Sequence, residues 1–273
     1  MTNPTDANLS GAPGKPATHV LCNSWPKAGT HVILEVARLA LGEGPWFKDP
    51  DIKYIQGEAE FITRATERLS RYEGESCVIK GHFGRTPAIE AFLEAQQFAH
   101  LFAVRDPREV LCSTQRWLRD LRTDWAISRH LASFDPDTQL EKIIVGLPVL
   151  APFEADFAIR WDQPLPGRYA DLTRWLEAPS CCVLAYEDLV GMRGASDQAA
   201  AIERALRCLR IPVDGTDVAR IASQVCNPAA ATFHTGPTSD WEKTFTDRHR
   251  HLFVEHGGEA LVERLGYPPT LPV

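Results

Sequence analysis

Short apolar runs alternate along the chain with longer stretches in which apolar residues recur every three or four positions. Runs of the first kind predict buried strands, and they cover Thr18–Trp25, Ser76–Lys80, Phe98–Val104 and Cys181–Ala185. Stretches of the second kind predict amphipathic helices, and they cover Gly29–Leu41, Pro87–Gln96, Pro107–Arg122, Ser196–Leu209 and Thr216–Val225. Apolar strands that alternate with helices form parallel sheets covered on both faces. The pattern therefore predicts an α/β fold.

The pattern changes between Asp124 and Trp175, where it becomes helical and irregular and contains many prolines. No linker or internal repeat divides the chain. We therefore expect one α/β domain over residues 18–273, with a helical insertion at about 124–176. The first 17 residues are rich in Pro, Gly, Asn and Thr and have no apolar segment, so they are expected to be a disordered tail and not a signal peptide.

Charge and composition exclude several classes of protein. The 273 residues include 29 Lys and Arg against 36 Asp and Glu, a net charge of −7, which disfavours nonspecific nucleic-acid binding and a polybasic membrane-surface protein. No stretch approaches the ~20 apolar residues of a membrane span. Seven cysteines without a CxxC pair are most simply reduced thiols. We expect a cytoplasmic protein without a nucleic-acid partner.

The turn between the first predicted strand and the first predicted helix is suited to hold an anion. It reads Asn-Ser-Trp-Pro-Lys-Ala-Gly-Thr-His over positions 23–31. A glycine-containing turn that opens a helix directs backbone N–H groups and the positive end of the helix dipole at an anion, and Lys27 and Thr30 add a charge and a hydroxyl. A Walker A loop places its lysine after the glycine, whereas Lys27 precedes Gly29, so an ordinary ATP–Mg²⁺ site is disfavoured. The alternative is a plain strand–turn–helix with a solvated lysine.

This turn resembles the cofactor loop of the sulfotransferases that use 3′-phosphoadenosine 5′-phosphosulfate (PAPS). WPKAGTH is similar to their YPKSGTTW: Lys27, Gly29 and Thr30 match, whereas Ala28 replaces a Ser and His31 a Thr. The resemblance implies that these five residues cradle the 5′-phosphosulfate, and that Lys27 neutralises charge on the oxygen joining phosphate to sulfur. The fold it implies is a P-loop-type parallel sheet flanked by helices.

A second matching segment follows the third predicted strand. FAVRDPREVLCS, over positions 102–113, is similar to the family's VxRDPRDVxxS. The resemblance implies that Arg105 and Ser113 hold the 3′-phosphate, a role that suits the bidentate geometry of a guanidinium. The alternative is a helix-capping turn in which Asp106 accepts N–H bonds ahead of Pro107.

Two further candidates follow the second and fourth predicted strands. Lys80-Gly81-His82 resembles the family's KTH, which implies His82 as general base for the acceptor hydroxyl and Lys80 near the transferring sulfuryl group. A neutral imidazole with a pKa near ~6.5 is suited to that proton transfer; the alternative is a surface or packing histidine. Tyr186, in a segment like the family's YED, is implied to contact the adenine, and its alternative is packing under the insertion.

The C-terminal match is weaker. FHTGPTSDWEKTF, over positions 233–245, is similar to the family's FRKGxxGDWKxxF, whose Arg-Lys-Gly closes over the 3′-phosphate. His234 and Thr235 stand in place of those cations, whereas Gly236 matches. The resemblance implies that these three residues bind the cofactor and that Phe233 stacks on adenine, with a core role for Phe233 equally open.

The resemblance implies an enzyme that transfers the sulfuryl group of PAPS to a hydroxyl or amine of a small-molecule acceptor, with adenosine 3′,5′-bisphosphate as product. Its catalytic residues would be His82, Lys27 and Lys80, and no metal would be required, because Lys27 and backbone amides neutralise the leaving group. Trp and Phe residues of the insertion suit an acceptor with an apolar or aromatic part. The alternatives are an ATP-dependent kinase on the same sheet and a noncatalytic nucleotide-binding homologue.

Overall fold

The core of the protein is a four-stranded parallel sheet with the strand order β2-β1-β3-β4. A computed structural model describes residues 18–42, 44, 57–123, 125–147, 160–226 and 241–270. The strands are β1 (His19–Ser24), β2 (Cys77–Gly81), β3 (Ala99–Val104) and β4 (Cys181–Ala185). They match the four apolar runs of the sequence to within one residue at each end, and the predicted α/β class is confirmed.

Strand order and register bring all four strand ends to one edge. Asn23 pairs with Gly81, Ser24 with Ala103, and Val104 with Ala185. Strand β2, which follows β1 in the chain, lies on one side of the central pair β1 and β3, whereas β4, which follows β3, lies on the other side. Binding sites of open α/β sheets lie at such a point, outside the carboxyl ends of the strands. The topology therefore predicts a site where β1 and β3 end.

Helices cover both faces of the sheet, and each face has its own apolar core. In one core, β1 and β3 pack against three helices. These are α1 (Thr30–Leu41), α10 (Ala195–Cys208) and α11 (Gly215–Gln224). The opposite core is covered chiefly by α2 (Glu58–Arg71), α3 (Pro87–Ala95), α4 (Pro107–Asp120), α13 (Asp247–Glu255) and α14 (Gly258–Arg264). Strand residues alternate between the two cores, as the pleat of a strand requires.

The stretch between α4 and β4 is built of short helices wherever the structure describes it. These are α5 (Ala126–Leu131), α6 (Pro136–Val145), α7 (Leu165–Arg168), α8 (Ala170–Thr173) and a 3₁₀ turn, Arg174–Glu177. Two more single turns, α9 (Tyr186–Leu189) and α12 (Trp241–Thr244), complete the elements. The predicted N-terminal tail lies outside the described residues. Within those residues, no helix has the length and apolarity to span a bilayer.

Helix α2 was not predicted from the apolar pattern. Its fully buried apolar side chains are Phe61 and Ala65 alone, and the third buried residue is Arg68. Ile62 and Leu69 are partly buried and pack against the same core, whereas the other nine positions of the 14-residue helix are polar residues or alanine, partly or fully exposed. Tertiary packing buries the apolar face of α2, which these few apolar positions do not predict by themselves.

Candidate functional site

Four of the predicted site residues follow the four strand ends. His82, Arg105 and Tyr186 come directly after β2, β3 and β4, and Lys27 lies three residues after β1. Because parallel strands end at the same edge, the fold brings these residues together from positions up to 159 apart in the chain. This edge is the candidate site.

The turn after β1 has a backbone that few side chains allow. Lys27 and Gly29 have positive φ angles of 69° and 113°, and the Ala28 N–H donates to the carbonyl of Trp25. A Cβ atom on Gly29 would lie only 2.9 Å from the Tyr186 ring, so both its φ angle and its neighbour favour glycine. The turn leads directly into α1, whose first N–H groups have no acceptor within the helix. It is a compact backbone cradle.

The other predicted residues of this turn differ in exposure. Ala28 is fully buried, and Thr30 is buried with its hydroxyl hydrogen-bonded to that of Ser24. His31 is exposed on the first turn of α1. The Thr30 hydroxyl therefore braces the turn against the end of β1, whereas His31 faces outward.

Lys27 is held among other positive charges. Burial first, and then the charges of Arg105 and Arg116, lower the pKa of Lys27 to about 8. The ammonium nitrogen lies 5.5 Å from the ring centre of Trp117, a cation–π distance. A buried cation beside two guanidinium groups is unfavourable in the free protein, and a bound anion would relieve that repulsion.

Arg105 connects the end of β3 to this turn. Its Nη1 lies 3.5 Å from the carbonyl oxygen of Lys27, and its guanidinium packs 4.4 Å from the ring centre of Tyr186. Glu109 lies 3.5 Å away on the next turn. The Arg105 Nε is buried and has no hydrogen-bond partner. Buried donors are nearly always paired, so this orphan fits a phosphate oxygen of a ligand.

Helix α4 begins beside Arg105 and carries one candidate side chain, that of Ser113. Pro107 is its first residue, and the Asp106 side chain accepts the N–H of Arg108 at 2.9 Å. The capping role offered as an alternative for this segment is thus present, and it leaves Arg105 outside the cap. Ser113 is partly buried two turns further on.

Sequence reasoning missed Arg116. It lies one turn beyond Ser113 on α4 and is one of the charges that act on Lys27. Residues three apart on a helix share a face, and Trp117, the neighbour that contacts Lys27, lies on the same side. The spacing of Ser113 and Arg116 was the available signal.

His82 is oriented by the end of β1. Its Nδ1 lies 2.8 Å from the carbonyl oxygen of Ser24; because a carbonyl only accepts, Nδ1 carries the hydrogen and Nε2 carries none in the neutral ring. The Asn23 side chain accepts the N–H of Phe83 and donates to its carbonyl, both at 2.9 Å. The segment after β2 is thereby tied to β1.

Lys80 and Tyr186 occupy defined positions beside these groups. Lys80 pairs with Cys22 across β1 and β2, two residues before His82. Tyr186 is wedged between Gly29 and Arg105. Burial raises the pKa of Tyr186, with Arg105 opposing, so its phenol stays neutral.

Comparison with solved structures identifies the architecture. The crystal structure of mouse sulfotransferase SULT7A1 complexed with PAP aligns at a TM-score of 0.59 and 16% identity, covering 91% of this chain and 87% of that one. The chain has the sulfotransferase fold. Retinol dehydratase, crystallised with androsterone and the inactive cofactor PAP, shares this fold at a TM-score of 0.57 and 13% identity, covering 91% and 82% of the two chains. No protein-family model and no curated protein sequence matches the chain.

The predicted C-terminal contacts, Phe233, His234, Thr235 and Gly236, lie outside the described residues. The described chain resumes at Trp241, whose N–H donates to Glu109 at 2.8 Å. Among described side chains, no group of three His, Cys, Asp or Glu is placed to hold a metal ion.

Proposed function

We propose that this protein transfers the sulfuryl group of PAPS to a hydroxyl or amine of a small-molecule acceptor. The observation that carries the proposal is the junction of Lys27 and Arg105: a backbone cradle and a guanidinium with an orphaned buried N–H meet at one sheet edge. A donor with charged groups at both ends of a ribose needs two such anion sites side by side. The two solved structures that share the fold both contain PAP.

The residues divide into two groups around the donor. Lys27, Gly29, Thr30 and His31 would hold the 5′ end, through turn amides and the lysine charge, while Ala28, whose N–H donates to Trp25, would keep the turn in shape. Arg105 and Ser113 would hold the 3′-phosphate, with Arg116 adding charge nearby. Tyr186, stacked on Arg105, would meet the adenine.

His82 would act as the general base. The Ser24 carbonyl holds Nδ1–H, so Nε2 is the atom that takes the acceptor proton. When bound, the donor supplies an activated sulfuryl group, whose bond from sulfur to the phosphate oxygen breaks as the acceptor oxygen bonds to sulfur. Lys27 would neutralise the departing oxygen and Lys80 the sulfuryl oxygens. One preorganised hydrogen-bond or charge donor of this kind lowers the activation barrier by roughly 3 kcal/mol.

Ligand binding tests the proposal first. Adenosine 3′,5′-bisphosphate should raise the melting temperature more than AMP, ADP or ATP, and Mg²⁺ should not change that order. Saturation at 100 times the Kd adds about 2.7 kcal/mol to the unfolding free energy, which a melting curve resolves. Stabilisation by ATP that depends on Mg²⁺ would instead support the kinase alternative.

Turnover tests the role of His82. We expect sulfated product from PAPS with phenols or alcohols that carry an apolar or aromatic part, unaffected by a metal chelator. His82→Ala should remove turnover while the Kd for the bisphosphate stays within about twofold, because Nε2 moves a proton and holds no phosphate. His130→Ala, at a histidine on α5, is the matched control and should retain turnover. Loss of binding and turnover together would make His82 a structural residue.

Binding without turnover by the unmodified protein, over a broad set of acceptors, would favour the noncatalytic alternative. That the protein is cytoplasmic, and that its acceptor is apolar or aromatic in part, remain predictions from the sequence.

A further inference from the structure

A buried carboxylate joins the two strand ends that carry Arg105 and Tyr186. Glu187, only 7% exposed, is the second residue of α9. Its Oε1 accepts the backbone N–H of Asp106 at 3.1 Å, and its Oε2 accepts the hydroxyl of Tyr267 at 2.6 Å. These are links over 81 and 80 residues of sequence, and neither belongs to a helix or to the sheet ladder.

The carboxylate is held by neutral donors. The Tyr267 phenol keeps the proton that it donates, because burial and the Glu187 charge both raise the pKa of Tyr267. Arg193 approaches the far side of this pair, 5.0 Å from the Tyr267 ring centre, and is itself paired with Asp188 at 3.1 Å. Because a buried carboxylate is costly unless its oxygens are hydrogen-bonded, both bonds are expected to persist.

The bond to Asp106 acts on the peptide that follows Arg105. That N–H belongs to the Arg105–Asp106 peptide, and Asp106 also caps α4 through its own side chain. Tyr186 is the residue before Glu187, and its ring supports the Arg105 guanidinium. One carboxylate thus fixes both the backbone from which Arg105 projects and the segment against which it stacks.

We propose that Glu187 is a positioning residue, which holds the Arg105–Asp106 peptide so that the guanidinium faces the 3′-phosphate. This inference rests on the proposed function, since it names Arg105 as the 3′-phosphate ligand. Glu187 itself would touch no ligand. Its effect should therefore appear in the discrimination between ligands with and without a 3′-phosphate.

The test compares binding of adenosine 3′,5′-bisphosphate and of AMP by calorimetry in three variants of the full chain. Glu187→Ala should weaken bisphosphate binding about tenfold, equivalent to about 1.4 kcal/mol, and AMP binding less than twofold. Glu187→Gln keeps an oxygen for the Asp106 N–H and should restore most of the preference. Tyr267→Phe removes the other hydrogen bond of Glu187 and leaves Asp106 alone, so it should lower the melting temperature without changing the preference.

Three outcomes overturn the inference: an unchanged preference in Glu187→Ala, an equal loss for both ligands, or the same loss of preference in Tyr267→Phe. If Glu187→Ala does not fold, Glu187→Asp is measured instead; it keeps the charge but is one methylene shorter, so it should show the same selective loss. A failure of the proposed function is recognised separately, because the unmodified protein would then show no preference for the bisphosphate, and the inference would fall with it.

Discussion

The guanidinium of Arg105 lies 3.5 Å from the carbonyl oxygen of Lys27, although the two residues are 78 positions apart in the chain. The contact follows from the pairing of β1 with β3, in which Ser24 is opposite Ala103. It places a positive side chain directly against the turn that begins α1. We therefore expect the charges at this contact to influence anion binding at this edge of the sheet.

Binding of adenosine 3′,5′-bisphosphate should weaken as the pH rises from 7 to 9.5. Lys27 has a pKa of about 8 in the free protein, and only its ammonium form attracts the anion. A bound anion raises this pKa. Above pH 8, Lys27 must therefore take up a proton when the anion binds, and the Kd should rise by up to tenfold for each pH unit. Calorimetry across this range measures the effect. Lys27→Arg, whose charge persists throughout, should flatten the profile, and an equal slope in both proteins would contradict the prediction.

Removing the Lys27 charge should stabilise the ligand-free protein. The folded-state pKa is lowered from 10.5 to about 8, which means that the ammonium form is disfavoured by folding at neutral pH. Lys27→Met should therefore gain roughly 1–3 kcal/mol at pH 7, seen as a higher urea midpoint, while it loses bisphosphate binding. The gain should shrink as the pH rises from 8 to 10.5, because the unmodified protein then sheds the unfavourable proton. A lower midpoint for Lys27→Met at pH 7 would show that its packing on Trp117 outweighs its charge.

Arg116 should contribute to affinity for the bisphosphate. Arg116→Ala removes one of the charges that surround Lys27, so we expect a Kd about three- to tenfold higher and a Lys27 pKa closer to its usual value. The matched control is Arg119→Ala on the same helix, where the side chain is about half exposed and paired with Asp120. Surface pairs of that kind contribute little, so its Kd should not change. An equal increase in Kd for both variants would show that Arg116 acts only through the net charge of the protein.

Gly29 should tolerate alanine less well than a glycine of similar backbone geometry elsewhere. Gly29→Ala meets both an unfavourable φ of 113° and the Tyr186 ring, so it should lose bisphosphate binding as well as roughly 1–3 kcal/mol of stability. Gly194 has a φ of 119° before α10, and no described atom lies within 4 Å of its Cβ position. Gly194→Ala should lose stability alone. Melting curves on both variants measure the stability lost to backbone strain, and calorimetry measures the loss of bisphosphate binding, which is expected in Gly29→Ala alone.

His100 should make the protein sensitive to acid. It is buried in β3, neither ring nitrogen has a hydrogen-bond partner, and it packs edge-on against Trp175 at 4.4 Å. Burial lowers its pKa from 6.5 to about 3, so between these values the unfolded chain binds a proton that the folded chain does not. Stability contributed by neutral His100 is complete above pH 6.5 and is lost toward pH 3, at up to about 1.4 kcal/mol per pH unit.

Replacing that imidazole with a phenyl ring removes the titration and keeps the aromatic contact. The urea midpoint of His100→Phe should therefore fall less than that of the unmodified protein between pH 6.5 and 4.5. His251→Phe, at an exposed position on α13, is the control and should leave the slope unchanged. Parallel curves for His100→Phe and the unmodified protein would place the acid sensitivity elsewhere.

Much of the fold followed from local pattern. The four apolar runs became the four strands, and helices such as α1 and α4 began where Gly29 and Pro107 predicted. These features are readable because strand and helix periodicity, turn glycines and first-turn prolines act on the backbone within a few residues. Helix α2 was not predicted because polar residues occupy most of its 14 positions, although Phe61, Ile62, Ala65 and Leu69 keep a helical spacing.

The sequence by itself placed each strand end to within one residue, and with the family resemblance it named Lys27, His82, Arg105 and Tyr186 as candidates. Only the tertiary structure decided that these four stand at one edge, that Arg116 acts on Lys27, and that Glu187 ties Asp106 to Tyr267. Strand order and register are set by burial over the whole domain, and nothing in a local stretch specifies its distant partner. For that reason contacts across about 80 residues, which orient the site, became visible only in three dimensions.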